Sequence, residues 1–133
     1  MYPEDFDALL EHLDKAEFEG LPARAQVACC IHMLEAAVNH DGFYGFFFNV
    51  SGEYVRETLT ALEHIGAPYT QALLERAVTV AFPDGYPPDG NDYQEALADY
   101  DEVADALEPL DTEFFRYPEP LADLVNAHLA RDL

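Results

Sequence analysis

A chain of 133 residues, half of them hydrophobic and 13% aromatic, can bury a real core, so its formal charge of −21 does not signal disorder. Six cations (Lys15 and five arginines) against 27 carboxylates disfavour direct binding to nucleic acid or to an anionic membrane, both polyanions, and favour a basic partner. The adjacent Cys29 and Cys30 make no disulfide framework and fit a reduced, cytoplasmic compartment. The acidic start Met1-Tyr2-Pro3-Glu4-Asp5 lacks the order of a signal peptide, and no run of about 18 apolar residues predicts a membrane span.

Apolar spacing is helical along nearly the whole sequence. Phe6, Leu9, Leu10 and Leu13 give one face of a first helix opened by Pro3, and Gly20-Leu21-Pro22 breaks it. Val27, Ile31, Leu34 and Val38 repeat in a second helix, which Asn39-His40-Asp41-Gly42 ends. From Phe43 to Phe48, five aromatics surround Gly45, too dense in rings for a surface. Ser51 predicts the N-cap of a helix carrying Val55, Leu59, Leu62 and Ile65, with Gly66 as its C′ residue. Pro68 opens the next helix, with Leu73, Leu74, Ala77, Val80 and Ala81 inward. Residues 83–91 form one loop rich in chain breakers. Asn91 and Gln94 resemble a capping box for a helix over 92–108. Leu110 to Tyr117 predicts a short helix, and Pro118 or Pro120 starts the last one, with Leu121, Leu124, Val125 and Leu129. Strand-type alternation and internal repeats are absent. The expected fold is all-α, a single compact domain over 1–133 of about seven or eight helices.

Between Arg76 and Arg116 the chain runs 39 residues without a positive side chain and carries eleven carboxylates. Seven of them fall on the expected helix over 92–108. Such a helix is about 25 Å long and carries about one charge per 3.6 Å, against one phosphate per roughly 3.4 Å along one strand of duplex DNA. Asp92, Glu95, Asp99 and Glu102 form one row, and Asp101, Asp105 and Glu108 a second. Tyr93, Ala96, Leu97, Tyr100, Val103, Ala104 and Leu107 make a separate apolar stripe. Like charges one turn apart cost a few tenths of a kcal/mol each, so the helix's own stability does not explain the pattern. The candidate partner-binding face is Asp84, Asp89, Asp92, Glu95, Asp99, Asp101, Glu102, Asp105 and Glu108, with Asp84 and Asp89 flanking from the loop. A protein that normally grips nucleic acid is the natural partner, because its lysines and arginines can meet fixed carboxylates in place of phosphates. A second acidic group, Glu4, Asp5, Asp7, Glu11, Asp14, Glu17 and Glu19, is diluted by Lys15 and reads as an amphipathic helix exterior.

The stretch Gly42-Phe43-Tyr44-Gly45-Phe46-Phe47-Phe48-Asn49-Val50-Ser51-Gly52-Glu53-Tyr54 resembles the signature of a bacterial family of DNA-mimic proteins. The resemblance continues through Leu62, Ile65-Gly66-Ala67, Leu74-Glu75-Arg76-Ala77 and Leu110-Asp111-Thr112-Glu113-Phe114-Phe115, covering roughly residues 25–130. It implies an all-α acidic protein, often dimeric, that occupies the DNA-binding face of a helix-turn-helix regulator or another basic DNA-binding protein. A homodimer is expected on the same ground. Two positions depart from the pattern. His40-Asp41 stands where a glycine is expected, and Gly45 stands where a polar residue, often glutamine, is expected. The signature is mostly aromatic and turn residues and reads as a mark of fold.

The acidity also fits a salt-adapted surface without mimic activity, or an immunity-type neutraliser of a basic toxin or nuclease. Clustering favours a basic partner, since a salt-adapted surface spreads its acids whereas 11 of 27 lie in one segment. Tyr86, Tyr93 and Tyr100 read as core by their spacing, and otherwise as amphipathic anchors for the partner. Cys29, His32 and Glu35 are spaced for a metal or catalytic set, yet the five histidines form no H-E-x-x-H arrangement and an apolar helix interior makes a thiol inert. Arg56 and Arg76 read as partners of carboxylates. The expectation is a binding protein, not an enzyme, with no metal and no cofactor.

Overall fold

The structure, a computed structural model, describes residues 15–87 and 92–130. Among them run α1 (Lys15–Glu19), α2 (Ala23–Phe48), a 3-10 turn (Val50–Tyr54), α3 (Val55–Ile65), α4 (Pro68–Ala81), α5 (Tyr93–Ala96), α6 (Tyr100–Phe115) and α7 (Leu121–Ala130), with no strand. The chain is all-α, as expected. Of the first helix, expected from Pro3 to the break at Gly20, only the end is described, as α1; its inner face Phe6, Leu9, Leu10 and Leu13, the acids up to Asp14, and Asp89 and Asn91 lie outside the described residues.

Helix α2 is the centre of the fold and packs on α3, the 3-10 turn, α6 and α7. Its expected inner positions Val27, Ile31, Leu34 and Val38 are all buried. Its first limb ends at residues 39–42, as expected. The backbone turns at Gly42 (φ 74, ψ −175) and the helix resumes over 43–48, a conformation that only glycine adopts without strain. The resumed limb buries Phe43, Phe46 and Phe47, whose rings meet Phe114 and Phe82 edge-on at 5.7 and 5.2 Å. Not all of this ring-dense limb is internal: Tyr44 is half-buried and Phe48 is 54% exposed. These two lie one turn apart on the limb's outer face.

Local signals fix the α3–α4 corner. Gly66 is left-handed (φ 76, ψ 44), and its N–H and that of Ala67 bond back to Glu63 and Leu62, the Schellman closure that satisfies two of the helix's last carbonyls. Pro68 opens α4, whose Leu73, Leu74, Ala77 and Ala81 are buried while Val80 is half-buried. Ser51 is not the cap of α3. The helix begins at Val55 after the 3-10 turn, and Tyr54 holds the cap position without capping the helix through its side chain. Helix α7 starts after Pro120 and buries Leu121 and Val125.

The largest correction concerns residues 92–108, which are not one helix. Helix α5 ends at Ala96, Leu97 and Asp99 are extended (ψ 129 and 144), and α6 then runs to Phe115, absorbing the short helix expected at 110–117. Bonds from far along the chain hold the break open. Ala98 N–H donates to the Ala81 carbonyl at 2.9 Å, and the Ala98 carbonyl accepts from Tyr44 Oη at 2.9 Å. Tertiary bonding thus overrides a helical periodicity that is only a weak local preference. Pro109 sits inside α6, exposed like Asp105, whose carbonyl it cannot bond. The helix instead buries Val103, Leu107, Leu110 and Phe114, one stripe at helical spacing.

Candidate acidic interface

Eight of the nine candidate carboxylates are described, and all eight are exposed: Asp84, Asp92, Glu95, Asp99, Asp101, Glu102, Asp105 and Glu108. Among the described residues none of them makes an ion pair. At about 100° per residue, Asp101, Glu102, Asp105 and Glu108 fall within a wedge of about 120° on α6, on the side away from its buried stripe. They span about 10 Å of axis. The rigid rank is therefore shorter than the 25 Å ruler expected for an unbroken helix, and it covers about three phosphate steps of one strand. Asp92, Glu95 and Asp99 belong to α5 and the extended link, which take their own course. Part of this charge has a local benefit. Asp101 and Glu102 stand in the first turn of α6, where a negative side chain opposes the positive end of the helix dipole. Asp105 and Glu108 lie beyond that turn and gain nothing from it.

Among the described residues of the cation-free segment, Asp111 and Glu113 are bonded into the protein. Asp111 Oδ1 accepts from the Phe43 N–H at 2.8 Å. It caps the resumed limb of α2 from another helix. A side chain at position 42 would strike the other Asp111 oxygen, so Gly42 serves both the turn and its cap. Burial raises the Asp111 carboxyl above the ordinary aspartate value, the Phe43 N–H opposes this, and the Glu108 charge adds to it. Glu113 pairs with Arg116 at 3.0 Å and accepts from Tyr69 Oη at 2.6 Å. A third carboxylate just beyond the segment, Glu119, accepts from the Thr70 N–H at 2.7 Å and the Tyr69 N–H at 3.1 Å, capping α4.

The signature stretch lies beneath the acidic segment and ties it down. Tyr86 Oη donates to the Gly52 carbonyl, Tyr93 Oη to the Asn49 carbonyl at 2.8 Å, and Gln94 Nε2 to the Phe48 carbonyl at 2.9 Å. A Cβ at position 52 would overlap both the Phe47 carbonyl and the Tyr93 ring, so the signature's last glycine makes room for this tyrosine. Tyr86 and Tyr93 are thus internal clamps. Tyr100 is not core: it is 57% exposed. The clamping roles of Tyr44 and Gln94 carry no signal in their own sequence neighbourhoods, and only the crowded glycine at 52 hints at a close contact.

The two departures from the family pattern meet in space. A Cβ at Gly45 would overlap the Asp41 Cβ. Having a side chain at 41 therefore goes with having none at 45. Arg56 and Arg76 make no ion pair among the described residues, contrary to the expected pairing, whereas Arg24 donates to the Leu129 carbonyl at 3.0 Å. Of the residues spaced for metal or catalysis, Cys29 is 1% exposed with its thiol pushed up to about 11 by burial, and Glu35 accepts from Tyr117 Oη at 3.1 Å. Among the described residues no three His, Cys, Asp or Glu side chains group to hold a metal ion, and no helix is long and apolar enough to cross a membrane.

A family model described as DMP19-like protein matches residues 19–132. No curated protein and no solved structure matches the chain.

Proposed function

Since the chain belongs to the DMP19-like protein family, a family of DNA-mimic proteins, we propose that it occupies the nucleic-acid-binding face of a basic DNA-binding protein such as a helix-turn-helix regulator. The observation that carries this is the set of exposed carboxylates on α5, the 97–99 link and the first two turns of α6, none paired with a cation among the described residues. Such groups can take the lysine and arginine contacts that normally go to phosphates while offering no base edges to read. Binding is then fast and salt-sensitive, because complementary fields steer the encounter. The role is binding without a catalytic step, in a reducing cytoplasm that keeps the buried Cys29 and Cys30 as thiols. A homodimer would lengthen a charged face that one α6 supplies over only about 10 Å.

Displacement of labelled duplex from a helix-turn-helix regulator of the same genome tests the reading. The chain displaces DNA at low salt, loses the effect at high salt, and loses it when Asp101, Glu102, Asp105 and Glu108 are changed together to their amides. Displacement that survives the fourfold change would remove these carboxylates from the mechanism.

A further inference from the structure

Beside the acidic rank lies a groove of about 390 Å³ lined by Asp41, Tyr44, Gly45, Phe48, Asn49 and Tyr100. Its wall is aromatic. The Tyr44 ring stacks on Phe48 at 6.2 Å and meets Tyr100 edge-on at 5.2 Å. Phe48 and Tyr100 are the two most exposed large hydrophobic side chains among the described residues, at 54% and 57%. The polar end of Tyr44 is bonded to the Ala98 carbonyl and holds the wall in place. Two carboxylates flank the rings. The Asp41 side chain is half-exposed at the groove's edge, and Asp99 is close enough for its charge to act on the Tyr44 hydroxyl. Gly45 keeps the floor at backbone level, where the resemblance expects a polar side chain.

We propose that this groove receives an arginine side chain of the basic partner, its guanidinium stacked on Phe48 or Tyr100 and paired with Asp41. Charge decides among occupants. A second copy of this chain would bring its own surplus of carboxylates against Asp41 and Asp99, which like charges oppose. A cation over ring faces is attracted to them, and a planar guanidinium does so while still bonding a carboxylate. Lysine is a compact, strongly hydrated charge and fits the wall less well. This rests on the proposed capture of a basic protein and adds a point of side-chain selectivity to it.

Calorimetric titration at low salt with hexa-arginine and hexalysine peptides tests the assignment. The unaltered chain binds both and prefers hexa-arginine. The pair Phe48→Ala and Tyr100→Ala, at exposed positions, weakens hexa-arginine by about fivefold or more and leaves hexalysine unchanged, so the preference disappears. Tyr100→Phe with Phe48 kept retains it. Equal weakening of both peptides, or none, overturns the groove as an arginine site. Failure of the unaltered chain to bind either peptide overturns the proposed function as well. If the fourfold amide variant of α6 binds both peptides as tightly as the unaltered chain while the arginine preference persists, the groove stands and the α6 rank does not.

Discussion

Asp101, Glu102, Asp105 and Glu108 on the first two turns of α6 stand exposed, whereas Asp111 and Glu113 on its later turns are bonded to Phe43, Tyr69 and Arg116. The residue type, the helix and the absence of interposed cations are the same. What differs is the neighbour. The later turns face the Phe43 N–H at the Gly42 bend and the Tyr69 hydroxyl of α4. The first turns face solvent. A run of acids in sequence is therefore two populations, one that builds the protein and one left available for contact, and counting charge alone merges them.

Substitutions should separate the two populations, beginning with the largest effect. Asp111→Ala leaves the Phe43 N–H uncapped at the bend and should destabilise the protein by about 2 kcal/mol in urea unfolding. Binding of basic peptides should change little. Asp105→Ala, in the exposed half, should stay within about 0.5 kcal/mol of the parent. Equal losses at the two sites would break the distinction. Glu119→Ala removes the acceptor for two N–H groups of α4 and should cost about 1 kcal/mol, again without affecting peptide binding.

Smaller effects sharpen the division within the exposed half. Changing Asp105 and Glu108 to their amides relieves repulsion and should raise stability by a few tenths of a kcal/mol. The same change at Asp101 and Glu102 also removes their interaction with the helix dipole, so it should be neutral or slightly destabilising. Thermal unfolding of the two double variants compares them directly. A larger gain from Asp101 and Glu102 would mean that the first-turn acids are there at the helix's expense.

How much of this could be read from sequence depends on how far the deciding bond reaches. The corner at Gly66 and Pro68 was legible because its bonds close within five residues, and the buried stripes of α2 and α4 were legible from periodicity alone. The exposure of Asp101, Glu102, Asp105 and Glu108 followed from the same periodicity. The break at 97–99 was not legible, since it depends on Ala81 and on Tyr44, 54 residues from Ala98. Asp111 could not be told from Asp105, because the N–H that claims it lies 68 residues away. The α5–α6 break shortened the charge ruler for that reason, and the signature's hold on the acidic segment through Tyr86, Tyr93 and Gln94 was hidden by the same distance.

The pH dependence of stability gives the subtlest separation. Asp111 is half-buried, and its carboxyl is raised above the ordinary aspartate value by burial, against the Phe43 bond and with the Glu108 charge. A raised carboxyl binds its proton more tightly in the folded protein than in the unfolded chain. That contribution is fully present below the unfolded value and is lost as pH rises through the folded one. At neutral pH the ionised group therefore stands in a poorer position than a neutral acceptor would. Asp111→Asn keeps an oxygen for the Phe43 N–H and removes the charge, so it should be at least as stable as the parent at pH 7. Its advantage should shrink as pH falls toward 4 and the parent carboxyl takes up its proton. Urea midpoints for the parent and Asp111→Asn across that range decide the matter: a parent more stable than Asp111→Asn at pH 7 would show that the charge itself strengthens the cap beyond what burial takes away.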